Sequence, residues 1–360
     1  MLPLLSLFVF LVLGSWKAAS GFRQTVRRAP LPVRSRLYQS GGVEEESLPT
    51  RQGTTTGKAG PVFNAARLMY KFSRPHTIKG TVLASTVGVT RALVENPSAV
   101  SLKLVPRALI GLVALLAGNA YIVGINQIYD VKIDEINKPF LPIAAKALNE
   151  KQAWRIVISC LCLGVGVVYT QFSKQIFSLY MMGVLLGTIY SVPPFQFKRF
   201  PLFAGSIIAC VRGFLLNFGV YYAVREALNV PFRWNPVVIF ISSFMTVFAS
   251  VIAITKDLPD IEGDVQYKID TFAAKFGVKA IATGASVVLS AAYLAAMTLP
   301  LAWPHLPFKR LPMVGGHALA LAYFLLSFRR LQPSKLSSIK AFYKAIWNLF
   351  YFEYLIYLFV

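Results

Sequence analysis

At 360 residues the chain could be one large soluble domain or two ordinary ones. Its composition argues against both: 56% of residues are hydrophobic and 14% charged, against roughly 25% charged in ordinary globular proteins. The formal charge is +22, from 37 Lys and Arg against 15 Asp and Glu. A nucleic-acid binder keeps a polar surface around its basic patch, whereas here the basic residues sit in short stretches between long apolar runs, the pattern of a polytopic membrane protein.

In chain order, residues 1–21 form a signal-like presequence. The apolar run Leu2 to Gly14 is short for a span and is followed by the small residues Ser15, Ala18, Ala19 and Ser20. Residues 22–60 carry Arg23, Arg27, Arg28, Arg34 and Arg36 with no acid before Glu44, the composition of a plastid transit peptide. A leader that is disordered and cleaved is expected there. A first membrane anchor is the other reading of the apolar run. Signal followed by transit segment, with Phe22 at the junction, resembles the two-part presequence of algae with secondary plastids.

Residues 61–360 read as one membrane domain, an all-α polytopic bundle of nine transmembrane helices. Apolar cores of spanning length fall near 78–94, 106–129, 153–172, 175–192, 202–224, 236–255, 279–299, 311–328 and 341–359. Prolines punctuate the connections at Pro139, Pro142, Pro193, Pro194, Pro231, Pro236, Pro304 and Pro307. The connections after the second, fourth, sixth and eighth segments are the more basic, with Lys132, Lys138, Lys198, Arg199, Lys256, Lys268, Arg329 and Arg330. By loop charge they lie on one side of the membrane. Cys160, Cys162 and Cys210 fall inside apolar runs, and the three histidines form no metal box.

Five of the six aspartates occupy two short segments on that basic side. In the first, Asn126, Asp130 and Asp134 are spaced four apart and share one face if the second helix continues. In the second, Asp257, Asp260 and Asp264 are spaced three and four apart, with Pro259 in the first turn of a restarted helix. Carboxylates in a membrane protein are expected to line a wet cavity or pair with cations. Hard oxygen ligands beside basic side chains suit Mg²⁺ with a polyphosphate, because Mg²⁺ takes one or two carboxylates plus phosphate oxygens. Arg74, Lys198, Arg199, Lys256 and the intramembrane Arg212 are the candidate diphosphate-binding cations. A solvated charge run, a calcium or proton site, and topology-setting loop charges are the bland alternatives. Gln127, Tyr129, Tyr190 and Phe195 flank the motifs and are candidates for a substrate and cation pocket, with ordinary packing as the alternative. Asp270 has no such role.

The paired signatures Asn126-Gln127-x-x-Asp130-x-x-x-Asp134 and Asp257-x-x-Asp260-x-x-x-Asp264 resemble those of the UbiA superfamily of intramembrane prenyltransferases. Over residues 65–360 the chain is similar to plant and algal homogentisate prenyltransferases, through Ser73-Arg74-Pro75-His76-Thr77, Asn137-Lys138-Pro139-Phe140-Leu141-Pro142 and Ile346-Trp347-Asn348-Leu349-Phe350-Tyr351. The blocks 121–130, 187–195 and 211–221 look like the homogentisate solanesyltransferase branch. Lys146 departs from the pattern, a glycine more often following the position of Ala145, with no consequence for the site.

The resemblance implies a nine-helix fold and Mg²⁺-dependent decarboxylating transfer of an all-trans prenyl group, solanesyl favoured, from its diphosphate to homogentisate. The product would be 2-methyl-6-solanesyl-1,4-benzoquinol, on the plastoquinone branch, made in a plastid membrane with the aspartates facing the stroma. The six motif residues would hold the metal, and no residue is assigned as catalytic base. Membrane lipids are the remaining expected partners, with neither nucleic acid nor a protein partner foreseen. The alternatives are a phytyl or geranylgeranyl transferase of the tocopherol branch, a non-catalytic prenyl-lipid binding protein, and an ion transporter.

Overall fold

The computed structural model describes residues 61–102, 104–266 and 271–360. Both parts of the expected leader, 1–21 and 22–60, lie outside the described residues, as do Lys268 and Asp270. The described chain is helical throughout. It contains α1 (Pro61–Phe72), α2 (Pro75–Glu95), α3 (Leu104–Tyr129), α4 (Val131–Asn137), α5 (Glu150–Gln171) and α6 (Lys174–Ser191). Then follow α7 (Pro201–Ala227), α8 (Pro236–Thr255), α9 (Ile261–Gln266), α10 (Phe272–Ala302), α11 (Leu311–Arg329) and α12 (Leu336–Tyr357).

Each expected apolar core coincides with one of the longer helices, but the count of nine spans is not established. Among the described residues, six helices are long and apolar enough to cross a membrane: α3, α5, α7, α8 with its extension to Asp260, α10 and α11. The other three helices are more polar. Helix α2 carries Lys79, Arg91 and Glu95, α6 begins on Lys174-Gln175, and α12 carries Lys340, Lys344 and Glu353. Many large apolar side chains point outward, among them Leu163, Tyr169, Leu185, Leu202, Leu311 and Leu319, as a bundle solvated by lipid requires.

Local signals set the helix ends. Asn149 accepts from the Gln152 N–H while the Gln152 side chain accepts from the Asn149 N–H, a reciprocal cap at the start of α5. Ser173, Asn235 and Thr271 cap α6, α8 and α10 in the same sense. Two packed clusters result. One joins α1, α3, α5 and α6 through Phe72, Tyr121, Ile125, Val157 and Val184. The larger joins α8, α10, α11 and α12 through Phe244, Phe248, Tyr293, Phe324, Phe342 and Phe350. Each cluster carries one aspartate motif, on the chain leaving α3 and on the chain leaving α8.

Candidate active site

The first motif sits where α3 ends. The backbone breaks at Asp130 and restarts as α4, yet the Asp134 N–H still donates to the Asp130 carbonyl at 2.8 Å. The expected four-residue spacing therefore survives a break in the helix. Asn126 Nδ2 donates to Asp130 Oδ2 at 2.9 Å, and Asn126 Oδ1 accepts from Arg74 Nη2 at 3.0 Å. Lys198 Nζ donates to Asp130 Oδ1 at 2.5 Å. Arg74 adopts φ 56°, a left-handed conformation uncommon for a residue with a Cβ and directly ahead of Pro75. Such strain collects at functional sites.

The second motif follows α8 as a single 3₁₀ turn, Leu258–Asp260, and then α9, with Pro259 in the first turn as its spacing predicts. Lys256 pairs with Asp257. Lys138 pairs with Asp260 and stands 3.8 Å from Asp134 Oδ1, so one ammonium spans the two motifs. Asn137 joins them a second time: its Oδ1 accepts from the Gly263 N–H at 3.0 Å and its Nδ2 donates to Asp264 Oδ1 at 3.4 Å. A Cβ on Gly263 would collide with the Asn137 side chain, so only glycine permits this approach.

Asp134, Asp260 and Asp264 are buried. Burial pushes the Asp134 carboxyl up to about 6, with Lys138 and Arg74 opposing, and Asp264 up to about 7, with Asp257 and Asp260 adding to the shift. Burial likewise lowers Lys198, with Asp130 opposing. Asp134 Oδ2 is buried and accepts no hydrogen bond, the condition of an oxygen that lacks a cation. Among the described residues no three acidic, His or Cys side chains converge to cage an ion. The donors are hard oxygens in separated groups, which fits a small divalent cation completed by ligand oxygens rather than an all-protein cage.

All of these groups lie at the head of one cavity of about 2800 Å³. Its lower walls are apolar, from Leu115, Leu112 and Ala108 of α3, Val184 and Gly183 of α6, and Leu216, Val220 and Val224 of α7. The cavity follows α3 from Asp130 back to Arg107, roughly 35 Å at 1.5 Å per residue. Arg107 there pairs with Glu226 at 3.5 Å and lies over the Phe172 ring.

The fold thus brings Asn126, Asp130, Asp134, Asp257, Asp260, Asp264, Arg74, Lys198, Arg199 and Lys256 to one cavity head, with Tyr129 and Tyr190 on its wall. Arg199 is exposed there, and the Tyr129 ring also meets Trp154 edge-on. Two expected pocket residues are elsewhere. Gln127 is fully buried behind α3, donating to the carbonyls of Phe72 and Val123 at 2.7 and 3.2 Å. Phe195 is exposed beside Phe197, away from the cavity wall. Arg212 lines the cavity but contacts none of the aspartates, and its partner is Asn119. Sequence reasoning did not single out Asn137 and Lys138 as site residues. The signal was present, since Lys138 lies four residues after Asp134 and shares its helix face.

The UbiA prenyltransferase family profile matches residues 82–350. A protein named "Probable homogentisate phytyltransferase 2, chloroplastic" from Oryza sativa subsp. japonica is 52% identical over 79% of this chain and 76% of its own length. "Homogentisate solanesyltransferase, chloroplastic" from Arabidopsis thaliana is 50% identical over 81% of this chain and 76% of its own. Among solved structures, a UbiA homologue from Archaeoglobus fulgidus bound to GPP and Mg²⁺ superposes with a TM-score of 0.58 at 18% identity, over 80% of this chain and 99% of that one.

Proposed function

The chain belongs to the UbiA prenyltransferase family and is a prenyltransferase, and from that premise we propose that it transfers a long all-trans prenyl group, solanesyl, from its diphosphate to homogentisate in a plastid membrane. The observation that carries this reading is the joining of two aspartate motifs, from opposite halves of the bundle, at the head of a single cavity whose lower walls on α3, α6 and α7 are mostly apolar. A diphosphate belongs among the cations at the head, and a tail belongs below.

The side chains divide the work. Lys198, Lys138 and Lys256 now pair with aspartates, Arg74 donates to Asn126, and all four can turn their N–H groups to phosphate oxygens as the allylic C–O bond breaks. Asn126, Asp130 and Asp134 with Asp257, Asp260 and Asp264 would hold Mg²⁺. Bound Mg²⁺ would supply positive charge to the departing diphosphate. The C–O electron pair leaves with the diphosphate, and a ring carbon of homogentisate forms the new bond to the allylic carbon and loses its proton. The arylacetate then loses CO₂, and its benzylic carbon takes up one proton, so protons balance. Apolar walls keep water from the allylic cation.

Two relatives of nearly equal identity carry different tails in their names, so identity does not separate solanesyl from phytyl. Cavity length supports the longer tail, because roughly 35 Å of groove along α3 exceeds what a phytyl chain spans. In this reading α2, α6 and α12 also cross the membrane, giving nine spans, with the aspartates on the stromal side where the loops are most basic. The test is purified membrane protein with homogentisate, Mg²⁺ and a panel of prenyl diphosphates, with product mass recorded. Solanesyl product with loss of CO₂ is expected. Phytyl product alone would assign the tocopherol branch, and no product with any donor would reject the reading.

A further inference from the structure

Arg212 stands apart from the aspartate-paired lysines of the cavity. It lies in the π-helical turn Ala209–Leu215, inside the apolar span Pro201–Ala227. A guanidinium at such a position is costly without an anion. Among the described residues Arg212 makes no ion pair, in contrast to Lys138, Lys198 and Lys256. One of its five N–H donors is engaged, Nη2 to Asn119 Oδ1 at 3.3 Å. Its guanidinium carbon lies 6.0 Å from the centre of the Trp347 ring.

The surroundings hold this arginine in place while leaving donors free. Asn119 donates its own amide to the Ser73 carbonyl at 3.1 Å and to Thr77 Oγ1 at 3.0 Å, so its oxygen is turned toward Arg212. Gly213, the next residue, allows α7 to approach α8 so closely that a Cβ would strike the Thr246 backbone, which fixes the turn. Trp347 is braced by the His76 ring edge-on at 4.9 Å, and Tyr351 donates to the His76 carbonyl at 2.8 Å. Arg212, Asn119, His76, Trp347 and Tyr351 all line the same cavity as the aspartates. Asn119 is seven residues before Asn126 on α3, roughly 10 Å deeper than the first motif.

An unpaired guanidinium fork among aromatic rings, one acceptor-length below the diphosphate cations, matches an aromatic ring bearing a carboxylate. We propose that Arg212, positioned by Asn119, binds the acetate carboxylate of the aromatic acceptor and thereby sets which ring carbon meets the prenyl group. The proposal rests on homogentisate being the acceptor. It carries a consequence for turnover: once the carboxylate has left as neutral CO₂, the methylated product has no charge for Arg212 to hold, and release is favoured.

The experiment is steady-state kinetics of the full chain and of Arg212→Gln and Arg212→Lys, varying each substrate at saturating levels of the other, with methylhydroquinone as an acceptor lacking the carboxylate. Arg212→Gln is expected to raise the homogentisate KM by roughly 10- to 100-fold, the range for a charge-assisted hydrogen bond. It should leave the prenyl diphosphate KM within about twofold and abolish the preference for homogentisate over methylhydroquinone. Arg212→Lys should fall between. If Arg212→Gln does not fold, Arg212→Lys and Asn119→Ala carry the same test, both raising the homogentisate KM selectively. A rise in the prenyl diphosphate KM instead, or equal losses with both acceptors, would overturn the anchor while leaving homogentisate prenylation intact. Wild type that fails to turn over homogentisate would overturn the functional reading and the anchor with it.

Discussion

Lys146 holds a backbone conformation that its side chain disfavours. Its φ is 58°, in the left-handed region, where its N–H closes a turn on the Ile143 carbonyl at 2.9 Å. A glycine adopts that conformation without the Cβ penalty of about 1–2 kcal/mol. Lys146→Gly should therefore raise thermal stability by about 0.5–1 kcal/mol, once the extra entropy of glycine in the unfolded chain is subtracted, with activity unchanged; unfolding followed by a thermal-shift assay checks both sign and size. Lys138 makes the complementary case. One ammonium meets Asp134 and Asp260 together, a double role that no single motif reveals. Arg74 combines a left-handed backbone with a hydrogen bond to Asn126, so the conformation that costs energy also aims the charge.

At the scale of elements, the two motifs use different devices to present the same chemistry. The first interrupts α3 at Asp130 and continues as α4 in nearly the same register, while the second turns once at Leu258–Asp260 before α9. Asn137 and Gly263 then clasp the two short helices together. Below them, the faces of α3, α6 and α7 that enclose the groove carry small residues, and a Cβ added at Gly183 or Gly219 meets nothing within 4 Å. Gly219→Trp is expected to fill that space and to lower kcat/KM for a solanesyl donor at least about tenfold more than for a shorter donor, by the discrimination a filled apolar pocket achieves. Competition between the two donors in one reaction reads the ratio directly, and equal losses would mean that the tail runs elsewhere.

On the scale of the whole molecule, the proposed site lies at a seam between the two packed clusters. Neither packed cluster holds a complete site, since one supplies Asn126, Asp130 and Asp134 and the other Asp257, Asp260 and Asp264. In the proposed reading the separated carboxylates, with Asp134 Oδ2 unpartnered, would be completed by metal and phosphate oxygens together. Chelation by EDTA should therefore abolish turnover and Mg²⁺ restore it. The bound pair, Mg²⁺ with a non-hydrolysable prenyl diphosphate, should raise the melting temperature more than either ligand alone, because it bridges the halves. Turnover that persists in EDTA would contradict the metal role.

Much of this was legible from residues in order. Apolar run lengths located the helices, since a lipid-facing span must satisfy its backbone within itself and so writes its length into the sequence. The clustered aspartates marked the candidate site, because a carboxylate in a membrane protein needs a reason. Side-chain direction was not legible where helices cross. Gln127 sits inside the first motif yet faces α1, and Phe195 ends a family block yet faces outward. Arg212 reads as one more diphosphate cation by composition, and only the approach of α3 to α7 separates it, through Asn119, from the aspartates. Sequence by itself determined the helices, the membrane and the charged motifs, because those depend on local composition and spacing. Tertiary structure alone decided which charges pair and which side chains line the cavity, because those depend on contacts between residues as far apart as Lys138 and Asp260.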